Sequence, residues 1–324
     1  MKKIFASLLI LVFTFCLFAQ GISETSTSDT TKPISTDTVD LSKLKISSPS
    51  GAPALALATL AVQNPEQYTF VAAETIAAEF ANKNSDFIIA PVNAGARLFT
   101  LGKSNYKLAA VVSWGNLFIA SQRPNFSLSD INDSEIILFG ENTINASVVL
   151  YCLIQNDIRP SQISYLASAA NTQQLLLTDP NAIVVTAEPA LTAARSKNSS
   201  ITAYSVNELY SQANATQTST TQVGFTQAGL FVRPDLDSAI VDAYLAQVQD
   251  SCTKCTTDLD AVAQAAVELE ILPNVNIAKS AIPNCAVRYV SALEAKEQIE
   301  STAKIDLTQF GGSLPTDDFY YGAN

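Results

Sequence analysis

Glu188 closes an apolar run, AIVVTA, and stands directly before a proline and a helix-like stretch, PALTAAR. A carboxylate there either favours the positive end of a helix dipole or, facing a cleft, takes a ligand N–H group or cation. Three other places repeat the same order of apolar run, small polar turn and helix-like stretch. They read KISSPSGAPALALATLA from Lys45, DFIIAPVNAGARLF from Asp86 and EIILFGENTINASVVLY from Glu135. In the first, Ser48, Ser50 and the Gly51 amide either hold a ligand oxygen or start a helix whose first turn suits Pro53. In the second, Asn93 is an N-cap or a ligand hydrogen-bond donor. In the third, Asn142, Thr143 and Asn145 either bind an anionic or carbonyl group or cap the helix. The only tryptophan, Trp114, lies with Asn116 in VVSWGNLF, between two strand-like runs. Its ring is either core or a wall against a flat or alkyl ligand, with Asn116 beside it.

The chemistry these residues offer is recognition rather than turnover. General acid–base work needs convergent titratable groups. Glu188 is the one such group placed at a junction, with Glu141 a distant second. The chain has no histidine, no Ser-His-Asp set, no metal-ligand cluster and no GxxxxGK[ST] loop. No catalytic residue, metal or cofactor is therefore expected. Arg97 falls inside a helix-like run, where it faces solvent or pairs with an acid, and Arg123 is the other basic residue near a junction. Neither makes an arginine clamp for sulfonate, nitrate or phosphate, so the expected ligand is a neutral or nitrogen-bearing organic molecule.

Short runs rich in β-branched and aromatic residues must carry these junctions. KLKISS, YTFVAA, DFIIAP, YKLAAVVSW, LFIASQ, EIILFG, ISYLAS, AIVVTA, ITAYSV and QAGLFVRP read as strands. APALALATLAVQ, ASVVLYCLIQND and NTQQLLLTD read as helices between them, an alternation that predicts an α/β fold with parallel crossovers. The pattern is interrupted at Ser129–Asp133 and by the polar run from Thr218 to Val223. Taken as chain crossings, these divide the protein into one lobe of residues 44–133 plus 223–324 and a second of residues 134–222. Two crossings make a hinge, and a cleft between lobes is a common ligand site.

The first residues give an address. Lys2 and Lys3, the apolar run Ile4 to Phe18 and the small residues after it read as a secretory signal peptide over residues 1–21. Residues 22–43, rich in Ser, Thr and Asp, read as a disordered spacer. Phe15 before Cys16 disfavours a lipoprotein signal, although the spacer resembles a tether. Loss of the signal removes two lysines and no acid, moving the net charge from −11 to −13. Nucleic acid is not an expected partner for so acidic a chain. Cys152, Cys252, Cys255 and Cys285 remain, and in an oxidising compartment an even number favours disulfides, of a pairing left open. Cys252-Thr-Lys-Cys255 follows a helix-like segment rather than opening one, which points to a structural role over a redox pair. Cys152 also suits a buried free thiol.

Several pieces resemble the periplasmic substrate-binding proteins of ABC importers, of the nitrate, sulfonate and thiamine-precursor type. They are SPSGAPALALA after the first strand, DFIIAPVNAGARLF, AIVVTAEPALTAA, and a tail of AIPNCAVRYVSALEAKEQIE and FGGSLPTDDFYY. The resemblance implies a two-lobed type II periplasmic-binding-protein-like α/β fold with a hinged interlobe cleft. It further implies a monomer in the periplasm or an equivalent extracytoplasmic space, capturing a small molecule and delivering it to a membrane permease. The absence of histidine departs from the related pyrimidine-synthesising enzymes. An enzyme on the same scaffold and a tethered sensor module are the competing functions.

Overall fold

The structure is a computed structural model that describes residues 39–214 and 224–323. The expected signal peptide, most of the spacer and the run Thr218–Val223 fall outside them. Aliphatic runs buried on both faces become central strands, as in Phe87–Pro91 and Ile183–Ala187. Two sheets result. The first orders β11-β4-β10-β3-β1-β2, with β1 Ile46–Pro49, β2 Tyr68–Val71, β3 Phe87–Pro91, β4 Lys107–Trp114, β10 Thr226–Val232 and β11 Val287–Ser291. The second orders β7-β6-β8-β5-β9, with β5 Leu117–Ser121, β6 Glu135–Phe139, β7 Gln162–Leu166, β8 Ile183–Ala187 and β9 Thr202–Ser205. Every run read as a strand is one, and β11 is added from the tail.

The parallel pairing expected of the crossovers holds for β1 with β2 and β3 and for β6 with β7 and β8. The strands that follow a change of sheet run the other way. β5 is antiparallel to β8 and β9, and β10 inserts antiparallel between β3 and β4. These two strands tie the sheets together, and they move a boundary. Because β5 belongs to the second sheet, the first crossing is at Gly115–Asn116, not at Ser129–Asp133. The polar cluster that mimicked a linker is a short 3₁₀ turn, Leu128–Ile131, opened by a capping box in which Ser127 and Asp130 satisfy each other's backbone amides. The return crossing lies between the helix Val206–Asn214 and β10.

The two crossings are held side by side. Gly115 N donates to Phe225 O at 3.0 Å. A Cβ on Gly115 would lie 2.3 Å from the Phe225 ring and 2.6 Å from Asn207 Oδ1, so only glycine allows this approach. Trp114, immediately before the crossing, belongs to the core: it is 1% exposed, and its indole Nε1 donates to Arg288 O at 3.0 Å. The Arg288 guanidinium lies 4.5 Å above the ring centre. Of the two readings of this ring, core or cleft wall, the packing is that of the core, and the ring is a buried post beside the hinge.

The expected disulfides do not form. Cys152, Cys252, Cys255 and Cys285 are buried free thiols. Cys252 and Cys255 face the apolar core from one side of the helix Ser238–Thr257, and Cys285 joins the same cluster. Burial pushes the Cys152 and Cys255 thiols up to about 12, which leaves them uncharged and inert. They pack as small apolar residues. Among the described residues no helix is long and apolar enough to cross a membrane.

Candidate functional site

The strand–turn–helix junctions converge on one cavity of about 480 Å³ between the sheets. Its first wall comes from the end of β1 and the end of β3. Ser50 N donates to Val71 O at 2.9 Å, fixing the turn after β1 against β2. Gly51 takes a φ of +100° before the 3₁₀ helix Ala52–Leu57, a backbone region that suits glycine. No side chain caps that helix. Asn93, in the first turn of the helix Val92–Thr100, also makes no cap. Its carboxamide lines the cavity without a hydrogen-bond partner among the described residues.

The second wall follows β6 and β8. Thr143 is the N-cap of the helix Ile144–Gln155: its hydroxyl accepts from Ala146 N at 3.3 Å and donates to Gly140 O at 2.6 Å. Asn145 Oδ1 accepts from Gln227 Nε2 at 3.4 Å, a bond that reaches from this wall to β10. Glu188 is 4% exposed and borders the cavity. Its Oε2 accepts from Thr192 N at 3.1 Å and its Oε1 from Thr192 Oγ at 2.9 Å. The carboxylate therefore closes the first turn of the helix Ala190–Lys197, and each oxygen keeps a further lone pair. Burial raises the Glu188 carboxyl above the usual carboxylate range, against the lowering effect of the Thr192 bonds and of Arg195. Asn116, at the crossing, accepts from Glu188 N at 3.1 Å through its carbonyl. Its Nδ2 donates back to Glu188 O at 3.5 Å, so the hinge positions this wall directly.

Of the residues singled out from sequence, Ser50, Gly51, Asn93, Asn116, Thr143, Asn145 and Glu188 meet around one space. Three do not line it. Ser48 is buried and turns its hydroxyl to Pro49 O at 3.1 Å. Trp114 is in the core. Asn142, at a φ of +57°, is exposed and offers only its carbonyl, to Gln309 Nε2 at 2.9 Å. The structure adds Phe139, Gln227 and Gln309 to the lining. Gln227 carried a signal that sequence reading passed over: a polar residue amid a central strand buried elsewhere needs a partner or a cavity. Gln309 arrives from the tail and gave none.

Most lining residues are apolar, with Ala52, Pro53, Ala94, Leu117 and Ile144 among them, and the polar ones are mainly amides and hydroxyls. Glu188 is the one ionisable side chain among the described residues that form this wall, and no arginine or lysine joins it. Such a surface desolvates the body of an uncharged organic molecule and orients it with a few hydrogen bonds.

No family model and no curated protein matches the sequence. Solved structures do. A crystal structure of an ABC transporter from Parabacteroides distasonis is similar at a TM-score of 0.74 and 21% identity, over 87% of this chain and 99% of that one. The periplasmic aliphatic sulphonate binding protein SsuA from Escherichia coli is similar at 0.64 and 14%, over 87% and 92%. A zinc-bound ligand-binding component of an ABC-type import system from Staphylococcus aureus is similar at 0.62 and 12%, over 87% and 98%. At these identities the likeness is one of architecture: the chain has the two-lobed α/β fold of the type II periplasmic binding proteins.

Proposed function

We propose that the protein is the solute-binding component of an ABC importer, taking a small, neutral or nitrogen-bearing organic molecule between its lobes and handing it to a membrane permease. The observation that carries this reading is the cavity itself. Its two walls belong to different sheets joined by two adjacent chain crossings, and its lining is apolar with scattered amides and a single carboxylate. A site so divided is completed when the lobes approach, which excludes water and presents one closed surface to a partner. The fold shared with solved import components, and the leader-like start of the sequence, support an exported protein acting outside the cytoplasm.

The choice of ligand class rests on charge. An anion entering this space meets no cationic side chain among the described residues and one carboxylate. A ligand N–H group instead finds the free lone pairs of Glu188 and the amide oxygens of Asn93 and Asn116. A thermal-shift screen of the purified protein with amines, lactams, sulfonates and oxyanions tests this. Stabilisation by nitrogenous compounds, with no turnover of the hit by the protein, is the expected result. Stabilisation by sulfonates or oxyanions alone contradicts the ligand class, and turnover of the hit contradicts the transport role.

A further inference from the structure

β4 reads KLAAVVSW, and Ser113 stands in it as a hydroxyl after Leu108, Ala109, Ala110, Val111 and Val112. Ser113 is 1% exposed and lines the cavity between the sheets. Its Oγ is buried and has no hydrogen-bond partner among the described residues. A buried hydroxyl left unpaired is a standing cost to the fold. The strand has no need of it, because alanine or valine, which fill the four positions before it, would pack there without that cost. An unpaired hydroxyl in a cavity wall is accounted for when the partner arrives with the ligand.

The backbone around Ser113 is irregular on both sides. Toward β10 it is opposite Ala228, and the register shifts before and after that pair. Toward β11 it is opposite Val287, and the register shifts again before Val290 meets Val111. Bulges of this kind re-aim side chains and are over-represented beside functional sites. Ala228 lines the same cavity. Ser113 also precedes Asn116 by three residues, and Asn116 is bonded to the main chain of Glu188 on both sides of its peptide unit. Three residues of chain span at most about 10 Å, so the hydroxyl and the Glu188 wall lie within reach of one small molecule.

The two groups ask for different things. Glu188 offers lone pairs, and takes a ligand N–H. The Ser113 hydroxyl has a hydrogen for which the fold supplies no acceptor. We infer that Ser113 is a specificity-determining residue of the cleft, selecting a ligand that carries a hydrogen-bond acceptor as well as an N–H: an uncharged amide or lactam rather than a simple amine. The ligand's carbonyl oxygen accepts from Ser113 Oγ while its N–H donates to Glu188. An amine leaves the hydroxyl unpaired, and a ketone leaves the carboxylate without its donor. A site built to hydrogen-bond a group rejects the analogue that lacks it. The inference rests on the reading of the cleft as an organic-solute site and narrows its ligand class.

The test is calorimetric titration of the full chain, wild type and Ser113→Ala, with three probes built on one seven-membered ring. They are ε-caprolactam, with N–H and carbonyl, azepane, with nitrogen alone, and cycloheptanone, with carbonyl alone. In Ser113→Ala, caprolactam and cycloheptanone are expected to bind about tenfold more weakly, the size of a hydrogen bond lost with a carbonyl left unpaired. Azepane affinity is expected to stay within about twofold, because an amine has no acceptor to lose. The melting temperature of the ligand-free variant is expected to hold or rise by about 2 °C, since an unpaired buried hydroxyl is removed. Unchanged caprolactam affinity in Ser113→Ala, or an equal loss for caprolactam and azepane, overturns the inference. So does a clear fall in melting temperature, which would give the hydroxyl a structural partner. Azepane binding to wild type with none from caprolactam removes the acceptor requirement and leaves the solute-binding reading standing. Failure of all three to bind contradicts both.

Discussion

Truncating Trp114 to alanine is expected to destabilise the folded protein by about 3–5 kcal/mol, the usual cost of emptying a large aromatic site in a core. The side chain is fully enclosed at the end of β4, directly before the Gly115–Asn116 crossing. It is held by its bond to Arg288 O and covered by the Arg288 guanidinium. Its loss leaves a cavity and an unpaired carbonyl at the point where both lobes are anchored. Trp114→Phe keeps most of the apolar contact and loses the N–H donor, so a smaller loss of about 1–3 kcal/mol is expected. Urea denaturation of the two variants reads this directly. A pocket wall would behave differently: apo stability close to wild type in Trp114→Ala, with ligand affinity lost. That pattern would return Trp114 to the cleft.

Glu188→Gln is expected to change two things that separate a structural carboxylate from one that also meets ligand. The first is the pH dependence of stability. Because burial raises the carboxyl in the folded state, the group's stabilising contribution is fully present below its unfolded value, near 4.5, and is lost as pH rises through the folded value. The wild type therefore loses stability on this account as pH climbs from the mid-4s, and glutamine, which does not titrate, does not. The melting temperature of Glu188→Gln relative to wild type is expected to move upward between pH 4 and neutrality, with pH points set at about unit intervals. The second is affinity. If a ligand N–H donates to the carboxylate, its replacement weakens binding by about 1.5–3 kcal/mol, roughly tenfold or more. A variant whose relative stability is flat with pH would contradict the buried, raised carboxyl. One with unchanged affinity for every nitrogenous ligand would leave Glu188 as a cap for the helix Ala190–Lys197 and nothing more.

Sequence legibility followed the range of the interactions. Strands such as FIIAP and IVVTA were readable because continuous aliphatic runs bounded by turns have few other uses. Their partners were not. Nothing in TQAGLFV says that it inserts antiparallel between β3 and β4, because that choice is made by contacts distant in sequence. The first crossing was misplaced for a related reason. A capping box and a linker are both short polar clusters, while the true crossing, Gly115–Asn116, is brief and nearly all buried or enclosed. β11 was missed because Val287–Ser291 is an edge strand with Arg288 exposed at its second position, which weakens the apolar signal.

The site divides along the same line. Junction residues converged because a strand end followed by a helix start places polar groups at a sheet's edge whatever the partner strands are. Whether each caps or faces ligand is decided by angles that the sequence does not carry. Thr143 caps and also borders the cavity, Asn93 caps nothing, and Glu188 does both at once. Ser48 sits a residue or two from residues that reach the cavity, yet it is buried and its hydroxyl is taken by Pro49 O. The cysteines show how a compartment argument is overridden by packing. An even number invites pairing, but each thiol is occupied as an apolar filler in a core that has no need of a staple.

The central claim is that a small organic solute is held between the two lobes, and a crystal structure of the protein with the strongest nitrogenous hit tests it most directly. The account predicts ligand density enclosed by Asn93, Asn116, Asn145 and Glu188, with a ligand nitrogen within hydrogen-bonding distance of the Glu188 carboxylate. Density on an outer surface, or a ligand in the cleft that turns an anionic group to Glu188, would contradict it.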